Sequence, residues 1–216
     1  MIVEEIMTKD VKTLTPNNTV KDALRLIHEN KIRHIPLVNE KQHVVGIVTE
    51  RDIKEAAPSF LDEKVLKEKL EKPLKNIMKK KVITAHPLDF VEEVAVIFYE
   101  HKIGCLPIIS DDKLVGIITG TNLLHTMVEL TGANQPGSQI EIRVENRPGI
   151  LYEVTSVFRK HNVNVQTVLV YPDKHDRKYK ILVFRVGTIN PTRIISHLEK
   201  EGLEVLWPNM PGMHQQ

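Results

Sequence analysis

Cysteine and aromatic residues are scarce in this sequence of 216 residues. Cys105 is the single cysteine, so the chain cannot form an internal disulfide, and this usage is typical of a reducing compartment. The 10 glycines and 12 prolines are too few for a largely disordered chain. The apolar run Val94–Tyr99 has six residues, far below the ~20 that a membrane-spanning helix requires. We therefore expect a cytoplasmic globular protein that does not bind membranes.

Neither sign of charge dominates the composition. The chain has 30 Lys and Arg residues against 28 Asp and Glu residues, a net charge of +2. Nucleic-acid binding requires a concentrated positive surface, which this sequence lacks. The short basic run at residues 79–81 is typical of a solvated turn. We expect no nucleic-acid partner.

Signatures of catalysis are also missing. The sequence has no Gly-x-x-x-x-Gly-Lys loop, no Gly-x-Gly-x-x-Gly, no His-Glu-x-x-His and no Gly-x-Ser-x-Gly. Cys105 lies within an apolar segment, which favours an inert core thiol over a nucleophile. The 10 histidines show no convincing metal-ligand spacing. We expect no catalytic residues, no metal and no required cofactor.

An internal repeat organises the first part of the chain. Ile6 and Met7 recur 71 residues later as Ile77 and Met78. The same offset aligns Val11 with Val82, Thr13 with Thr84, Pro16 with Pro87, Val20 with Val91, Ile32 with Ile103 and Pro36 with Pro107. Beyond Pro36 the offset is 70, so Gly46 aligns with Gly116 and Thr49 with Thr119. Such a period indicates two copies of one supersecondary unit.

Each copy has the same pattern of elements. An extended piece is followed by an amphipathic helix, two strands that are apolar on both faces, and a final helix. Thr19 with Asp22, and Asp89 with Glu92, have the spacing of helix-capping pairs. The predicted extended segments and strands are Val11–Leu14, Ile35–Val38 and Val44–Thr49 in the first copy, and Val82–Ala85, Leu106–Ile109 and Leu114–Thr119 in the second.

Composition shifts mark the domain boundaries. We assign residues 1–60 and 77–134 to the two repeats and residues 61–76 to a helical linker that Pro73 terminates. Within the linker, Ser59 and Asp62 have the spacing of a helix start, and Leu61, Val65, Leu66 and Leu70 suggest one packed face. The Gln-Pro-Gly segment at 135–137 precedes a second domain at 138–207, and residues 208–216 are expected to be a disordered tail.

The second domain has the pattern strand, helix, strand, strand, helix, strand, which is the ferredoxin-like βαββαβ order. Alternation at 140–144 and apolar segments at 163–170, 179–186 and 203–207 indicate the strands. Asn190 and Pro191 indicate the N-cap and first position of the second helix, and Gly202 its end. The sequence thus predicts an α/β (α+β) protein.

One constellation occurs in both repeats. Thr49 ends a buried strand and Asp52 follows three residues later; Thr119 and Asn122 repeat the arrangement. A hydroxyl and free N–H groups at a helix N-terminus suit a phosphate, and a carboxylate can accept hydrogen bonds from both ribose hydroxyls. The glycine at 46 and its counterpart at 116 leave room for a ligand or strand. Alternatively, each pair only caps its helix; two matched copies favour a ligand site.

Residues 1–130 resemble a tandem pair of CBS domains, on the basis of the Ile-Met starts, the His-Ile-Pro and Cys-Leu-Pro strands and the Gly-h-h-Thr-x-x-Asp/Asn ends, where h is an apolar residue. The resemblance implies an adenosine-containing regulatory ligand between the repeats: an adenine nucleotide (AMP, ATP or NAD-like) or S-adenosylmethionine. The nucleotide-binding residues it implies are Thr13, His34, Ile35, Pro36, Thr49, Arg51, Asp52, Thr84, Leu106, Pro107, Thr119, Thr121 and Asn122.

Residues 138–207 resemble an ACT domain, whose Asp-Arg-Pro-Gly-x-Leu loop matches this chain except at its first position. The resemblance implies an amino-acid effector at a dimer interface beside the loop Asn146, Arg147, Pro148, Gly149, Ile150 and Leu151. Pro148 and Gly149 are equally compatible with a simple helix start. A CBS pair followed by an ACT domain is similar to the acetoin-utilisation accessory proteins. This similarity implies control of a partner protein in acetoin or butanediol catabolism and an association with sporulation. We also expect a homodimer, because CBS pairs and ACT sheets leave apolar faces that a monomer would expose.

Three functions remain open at this point: a non-catalytic sensor, a nucleotide-processing enzyme that uses the cleft between the repeats, and a dimeriser with vestigial sites. We favour the sensor because no paired carboxylates or activated nucleophile converge on the cleft. The site with Asp52 is expected to bind nucleotide more tightly than the site with Asn122, since hydrogen bonds to a charged group are stronger. An aspartate at 122 is expected to strengthen the weaker site.

Overall fold

The computed structural model describes residues 1–57 and 63–208. It separates into two compact units, residues 1–125 and 126–216, each with its own core. The predicted linker positions Ser59, Leu61 and Asp62 lie outside the described residues, as does the predicted tail from residue 209 onward. No helix in the described ranges is long and apolar enough to cross a bilayer.

The first unit contains two matched sets of elements, as the repeat predicts. Each set is a helix, an antiparallel strand pair and a second helix, and strand pairing runs from His34 opposite Thr49 and from Cys105 opposite Thr119. Leu14 and Ala85 each add a parallel bridge to the strand pair of their own repeat. The bounds are α1 Val3–Ile6, α2 Val20–Asn30, β1 His34–Val38, β2 Val44–Thr49, α3 Glu50–Ala56, α4 Glu63–Leu70, α5 Val91–His101, β3 Cys105–Ser110, β4 Lys113–Thr119 and α6 Gly120–Thr131, with a 3₁₀ turn at Leu74–Asn76.

The two predicted capping pairs have different outcomes. Thr19 caps α2, and its hydroxyl accepts the Asp22 N–H at 3.2 Å while the Asp22 carboxylate accepts the Thr19 N–H at 3.0 Å. The prediction for α5 is wrong, because its N-cap is Phe90, which makes no side-chain cap. Asp89 instead accepts the His86 N–H at 2.7 Å, so its carboxylate closes the preceding turn.

The start segment of each repeat packs on the core of the other repeat. Val3 is fully buried among second-repeat residues, and its N–H donates to the Asp89 carbonyl at 2.9 Å. Thr8 exchanges backbone hydrogen bonds with Ile117 on β4, at 2.9 and 3.0 Å. Residues 1–8 therefore complete the second repeat.

The reciprocal contact involves the segment that follows α4. Leu74 is fully buried in the first-repeat core, and Lys79 exchanges backbone hydrogen bonds with Ile47 on β2, at 3.0 and 2.9 Å. The repeat boundaries at 60 and 77 remain predictions from the sequence pattern, whereas the packing divides the chain at other positions.

The two glycines at matched positions of the repeats have a packing explanation. A Cβ on Gly46 would lie 2.7 Å from the Met78 sulfur, and a Cβ on Gly116 would clash with the Met7 sulfur. We call residues 1–8 and 74–79 the exchanged segments, because each packs on the core of the other repeat. Each glycine therefore leaves room for a methionine side chain from the exchanged segment that packs on it. The predicted close approach is present, and the group that approaches in the structure is a methionine side chain.

A small apolar cluster joins the two repeats. Ile47, Cys105 and Ile117 are buried together, with Val11 and Val82 packed against them. The cluster contains residues of both strand pairs, so the two repeats pack against each other through a common apolar layer.

The linker helix α4 contributes little to this packing. None of its residues is buried, and Val65 is 40% exposed. Leu66 is half-buried, and Leu70 packs at the margin of the first-repeat core. The predicted packed face is therefore present only in part, and the helix ends at Leu70, before Pro73.

The second unit has the predicted βαββαβ order. Its elements are β5 Ser138–Glu145, α7 Ile150–Lys160, β6 Val165–Pro172, β7 Tyr179–Val186, α8 Thr192–Lys200 and β8 Glu204–Trp207. The sheet order is β6-β7-β5-β8, and each of these pairings is antiparallel. The ring centroids of Phe158 on α7 and Phe184 on β7 lie 4.7 Å apart, with the rings tilted, in the core between the helices and one face of the sheet.

The ends of α8 agree with the sequence to within one residue. Pro191 is the N-cap, where Asn190 was expected. Asn190 still acts locally, because its side-chain oxygen accepts the Thr192 N–H at 3.2 Å. Gly202 follows the helix with φ of +80°, a conformation that favours glycine, and so confirms the predicted end.

Asn122 fastens the exchanged N-terminal segment to the second repeat. Its amide nitrogen donates to the Ile6 carbonyl at 3.1 Å, while its amide oxygen accepts from the Thr119 N–H at 2.9 Å and from the Thr119 hydroxyl at 2.6 Å. The Ile6 carbonyl requires a donor, which an aspartate cannot supply.

We predict that Asn122→Asp destabilises the first unit by about 1–3 kcal/mol, because a carboxylate would face the Ile6 carbonyl. Urea unfolding measures the change. The control is Asn146→Asp in an exposed loop, which should stay within about 0.5 kcal/mol of the parent. Equal or greater stability of Asn122→Asp would contradict this role.

Candidate functional site

A cleft of about 850 Å³ lies within the first unit. This volume is within the ~300–1,000 Å³ typical of small-molecule sites. The walls come from the ends of β1 and β2, the first turns of α3, the exchanged segment and the start of β3. The lining residues are Arg33, His34, Ile47, Thr49, Glu50, Arg51, Lys54, Glu55, Lys79, Lys102, Ile103, Gly104 and Cys105.

Cations outnumber acids in this lining. Five side chains are Arg or Lys and two are Glu. Lys54 lies 2.6 Å from Glu50 and lowers the pKa of that carboxyl group. Among the described residues, Arg33, Arg51 and Lys102 have no carboxylate within 4.0 Å. The cleft therefore has positive charge available for an anionic ligand.

The floor of the cleft is apolar. Ile47 and Cys105 belong to the cluster that joins the repeats, and Ile103 packs at the edge of the second-repeat core. A cleft with an apolar floor and cationic walls can hold a molecule with an apolar ring and an anionic group.

Thr49 and Asp52 form a reciprocal cap at the start of α3. The Thr49 N–H and hydroxyl donate to one Asp52 carboxylate oxygen at 2.8 and 2.7 Å, and the Asp52 N–H donates to the Thr49 hydroxyl at 3.3 Å. The other carboxylate oxygen lies 3.5 Å from the Lys79 ammonium. The capping alternative raised by the sequence is thus realised at both Thr49 and Thr119.

His34 occupies space that a glycine leaves open. A Cβ on Gly104 would lie 2.7 Å from the His34 Nε2 atom. Burial, and then the nearby charge of Arg33, lower the pKa of His34. The imidazole is therefore held in its neutral form, which can both donate and accept a hydrogen bond at the cleft wall.

Cys105 is a core thiol, as predicted. It is 6% exposed, and burial raises the pKa of the thiol to about 12. A protonated thiol is a poor nucleophile. Among the described residues, no group of three His, Cys, Asp or Glu side chains is placed to hold a metal ion.

The structure brings together three of the nucleotide-binding residues implied by the resemblance: His34, Thr49 and Arg51. Asp52 does not line the cleft, and its side chain is 13% exposed. Ile35 is fully buried in the first-repeat core. Pro36 is also buried, and its carbonyl accepts the Leu14 N–H at 3.3 Å, next to Thr13.

The implied residues of the second repeat lie elsewhere. Leu106 is fully buried, and the Pro107 carbonyl accepts the Ala85 N–H at 3.1 Å, next to Thr84. Thr119 and Asn122 cap α6, and Thr121 is exposed on its first turn. These residues do not line the described cleft.

Sequence reasoning missed several cations of the cleft. Arg33 precedes a predicted strand, Lys54 lies two residues after Asp52, and Lys79 belongs to the run read as a solvated turn. Lys102 comes from the second repeat. The run at 79–81 was informative, because its position directly after Met78 places it beside β2.

The predicted effector loop of the second unit starts α7. Gly149 has φ of +82° and is the N-cap residue, Ile150 is 4% exposed and Leu151 is 40% exposed. Arg147 makes two hydrogen bonds to Glu153, at 2.7 and 2.6 Å, and lies 3.6 Å from Glu145. The cation of the loop is therefore already neutralised.

Solved structures resemble the first unit. A protein of Vibrio cholerae assigned to acetoin utilization, AcuB, is 34% identical, covers 63% of this chain and 98% of its own, and has a TM-score of 0.54. The CBS domain pair of protein MJ0100, in complex with 5′-methylthioadenosine and S-adenosyl-L-methionine, is 27% identical over 62% of this chain and 98% of its own, with a TM-score of 0.53. CBSX2 in complex with AMP is 25% identical over 59% and 96%, with a TM-score of 0.51.

Curated relatives share only part of their length with this chain. Homoserine O-acetyltransferase of Methanococcus vannielii is 35% identical over 127 residues, 58% of this chain and 25% of the relative. Inosine-5′-monophosphate dehydrogenase of Methanocaldococcus jannaschii is 32% identical over 122 residues, 56% of this chain and 22% of the relative. The chain therefore spans about a quarter of these enzymes.

Family profiles cover both units. The CBS domain matches residues 3–59 and 74–129, together more than half of the chain, and the ACT domain matches residues 138–203. The strand pairs of the first unit and the four-stranded sheet of the second agree with these matches. The chain belongs to the CBS-domain family and carries its CBS pair in tandem, followed by a C-terminal ACT domain.

Proposed function

We propose that this protein is a non-catalytic sensor that binds a phosphate-bearing adenine nucleotide in the cleft of its CBS pair. The single observation that carries the proposal is the cleft of about 850 Å³ with five cationic and two acidic side chains. CBS pairs of similar fold were solved with AMP and with S-adenosyl-L-methionine. An adenine ring on the apolar floor would leave its phosphates near the cationic walls.

The charges favour a phosphate over a sulfonium group. Arg33 and Arg51 have planar donor arrays that suit phosphate oxygens, and Lys102 adds a third cation. S-adenosyl-L-methionine carries a positive sulfonium, which these groups would repel. Neutral His34 and the Thr49 hydroxyl are hydrogen-bonding groups for the ribose or the base.

A catalytic use of the cleft has no support from these groups. The Thr49 hydroxyl donates to Asp52 within a helix cap, and the Cys105 thiol is held protonated by burial. Hydrolysis of a nucleotide would need an activated nucleophile or a base within reach of bound water. The enzyme alternative therefore ranks below the sensor.

The ACT domain supports two further roles, the binding of a second ligand and the regulation of another protein. We propose that the unit takes an amino-acid effector and that the protein acts as a cytoplasmic homodimer on a regulated partner protein. Apolar side chains of β6 that are exposed support an interface, among them Val168 and Val170, which are 42% and 51% exposed. The likeness to AcuB supports a role in acetoin or butanediol catabolism, and the association with sporulation stays a prediction.

We predict that Arg51→Gln and Arg33→Gln each weaken AMP binding about tenfold or more, because a charge-assisted hydrogen bond contributes about 1.5–3 kcal/mol. Isothermal titration calorimetry on the full chain measures this. Arg193→Gln, an exposed arginine in the other unit, is the matched control and should leave the affinity unchanged. If both cleft variants bind AMP with the affinity of the parent, the proposal that the nucleotide binds in this cleft is wrong.

We predict an order of ligands in which AMP, ADP and ATP bind more tightly than 5′-methylthioadenosine, and S-adenosyl-L-methionine binds most weakly. The affinity for the phosphorylated ligands should also decrease as sodium chloride is added, since salt screens the cationic cleft. A titration panel at two salt concentrations tests both statements. Tightest binding by S-adenosyl-L-methionine would overturn the charge argument.

We predict that His34 makes the stability of the first unit depend on pH. Its pKa is lowered in the folded state, so below the unfolded pKa of about 6.5 the unfolded chain binds more protons, and stability decreases as pH falls. His34→Gln should lose less stability than the parent between about pH 7 and pH 5, whereas the exposed His28→Gln should behave as the parent. Urea unfolding at each pH gives the comparison, and identical pH profiles for parent and His34→Gln would contradict it.

A further inference from the structure

The second unit contains a cavity of about 310 Å³ on the open face of its sheet. Its strand residues, including Glu141, Val183 and Arg185, alternate with Ile142 and Phe184, which belong to the core under the helices. Successive residues of a strand point to opposite faces. The cavity therefore faces away from α7 and α8, and none of its lining residues belongs to the loop at 146–151.

The last residue of α6 and the segment that follows it form one wall of this cavity. The Thr167 hydroxyl donates to the Thr131 carbonyl at 3.0 Å, and Arg185 donates to the Gln135 carbonyl from Nε at 3.1 Å and from Nη2 at 2.5 Å. The segment is close to the sheet, since a Cβ on Gly132 would lie 3.1 Å from Arg185 Cδ. Side chains of β6 and β7 therefore hold this segment against the sheet, and the segment encloses one side of the cavity.

Two opposite charges lie in the cavity without neutralising each other. Glu141 is opposite Val183, and Arg185 is the next residue of β7 on the same face, so the two are diagonal neighbours about 7–8 Å apart. In the described part of the chain, neither has an ion pair within 4.0 Å. The partners they do have are neutral: Gln139 donates to Glu141 at 2.7 Å, and Arg185 donates to a carbonyl.

The remaining groups define the other requirements of a ligand. Leu169 and Val183 give the cavity an apolar floor. Burial and the charge of Glu141 raise the pKa of Tyr171, which also lines the cavity and whose protonated hydroxyl can donate a hydrogen bond. The volume is at the lower limit of ~300–1,000 Å³ for small-molecule sites, which favours a small ligand.

We propose that this cavity binds a small zwitterion, an α-amino acid with an apolar side chain. The ligand carboxylate accepts from Arg185, its ammonium group donates to Glu141, and its side chain lies on Leu169 and Val183. The inference rests on the proposed effector role of the ACT domain and moves the effector away from the 146–151 loop, where Arg147 is already neutralised by Glu153 and Glu145.

The test is calorimetry of the full chain with L-alanine, L-valine and L-leucine. Two analogues of valine accompany them: 3-methyl-2-oxobutanoate, which lacks the ammonium group, and isobutylamine, which lacks the carboxylate. At least one amino acid should bind, and both analogues should bind about tenfold more weakly than valine or not at all. Failure of all three amino acids to bind, or equal binding of an analogue, would overturn the site.

Variants locate the site. Glu141→Gln and Val183→Phe should each reduce amino-acid affinity about tenfold or more, the first by removing a charge and the second by filling the cavity. Glu145→Gln, on the same strand, and Arg147→Gln, in the loop, should leave it unchanged. Loss of binding in Arg147→Gln with retention in Glu141→Gln would assign the effector to the loop, which overturns this inference and leaves the proposed effector role intact.

Two further measurements separate this inference from the rest. Circular dichroism confirms that each variant is folded, so that lost binding reports on the site. AMP titration of the same samples tests the nucleotide cleft independently, because none of the four substitutions lies in it. If AMP binds normally and no amino acid binds, the proposed amino-acid effector is wrong and the proposed nucleotide sensor stands.

Discussion

The reciprocal packing of two methionines against two glycines organises the first unit. Met78 fills the space above Gly46 on β2, and Met7 fills the space at Gly116 on β4. Lys79 follows Met78 directly, and its backbone pairs with Ile47, so its ammonium group reaches both the cleft and the Asp52 carboxylate. One of the positive charges of the cleft, that of Lys79, is thus positioned by the apolar contact between Met78 and Gly46.

Local patterns predicted the elements well, whereas partners distant in sequence were harder to predict. β2 has the bounds expected from its apolar run, because that run ends at a threonine that caps the next helix. The exchange of start segments left no signal, since the two Ile-Met pairs are identical and either could fit either core. The cap at Asp89 failed for a local reason, because its carboxylate serves the turn at His86. Lys102 was missed because it enters the cleft from the other repeat.

The two repeats have the same fold but not the same chemistry. Positions that carry Arg33, Arg51 and Lys54 in the first repeat carry glycine, threonine and leucine in the second. His34 corresponds to Cys105, and its ring uses the space beside Gly104. The two repeats therefore share backbone positions but not charges: the first repeat supplies most of the charged side chains of the described cleft, and the second contributes Lys102 and part of the apolar floor.

The exchanged start segments have a consequence for how the core of each repeat is completed. The repeated stretch of sequence is not the piece that packs as one core, because residues 1–8 complete the second repeat and the residues around Leu74 complete the first. A chain with a single repeat could complete its core with the start segment of a second copy. In its packing, the tandem chain is equivalent to a domain-swapped dimer whose two copies are joined by a linker.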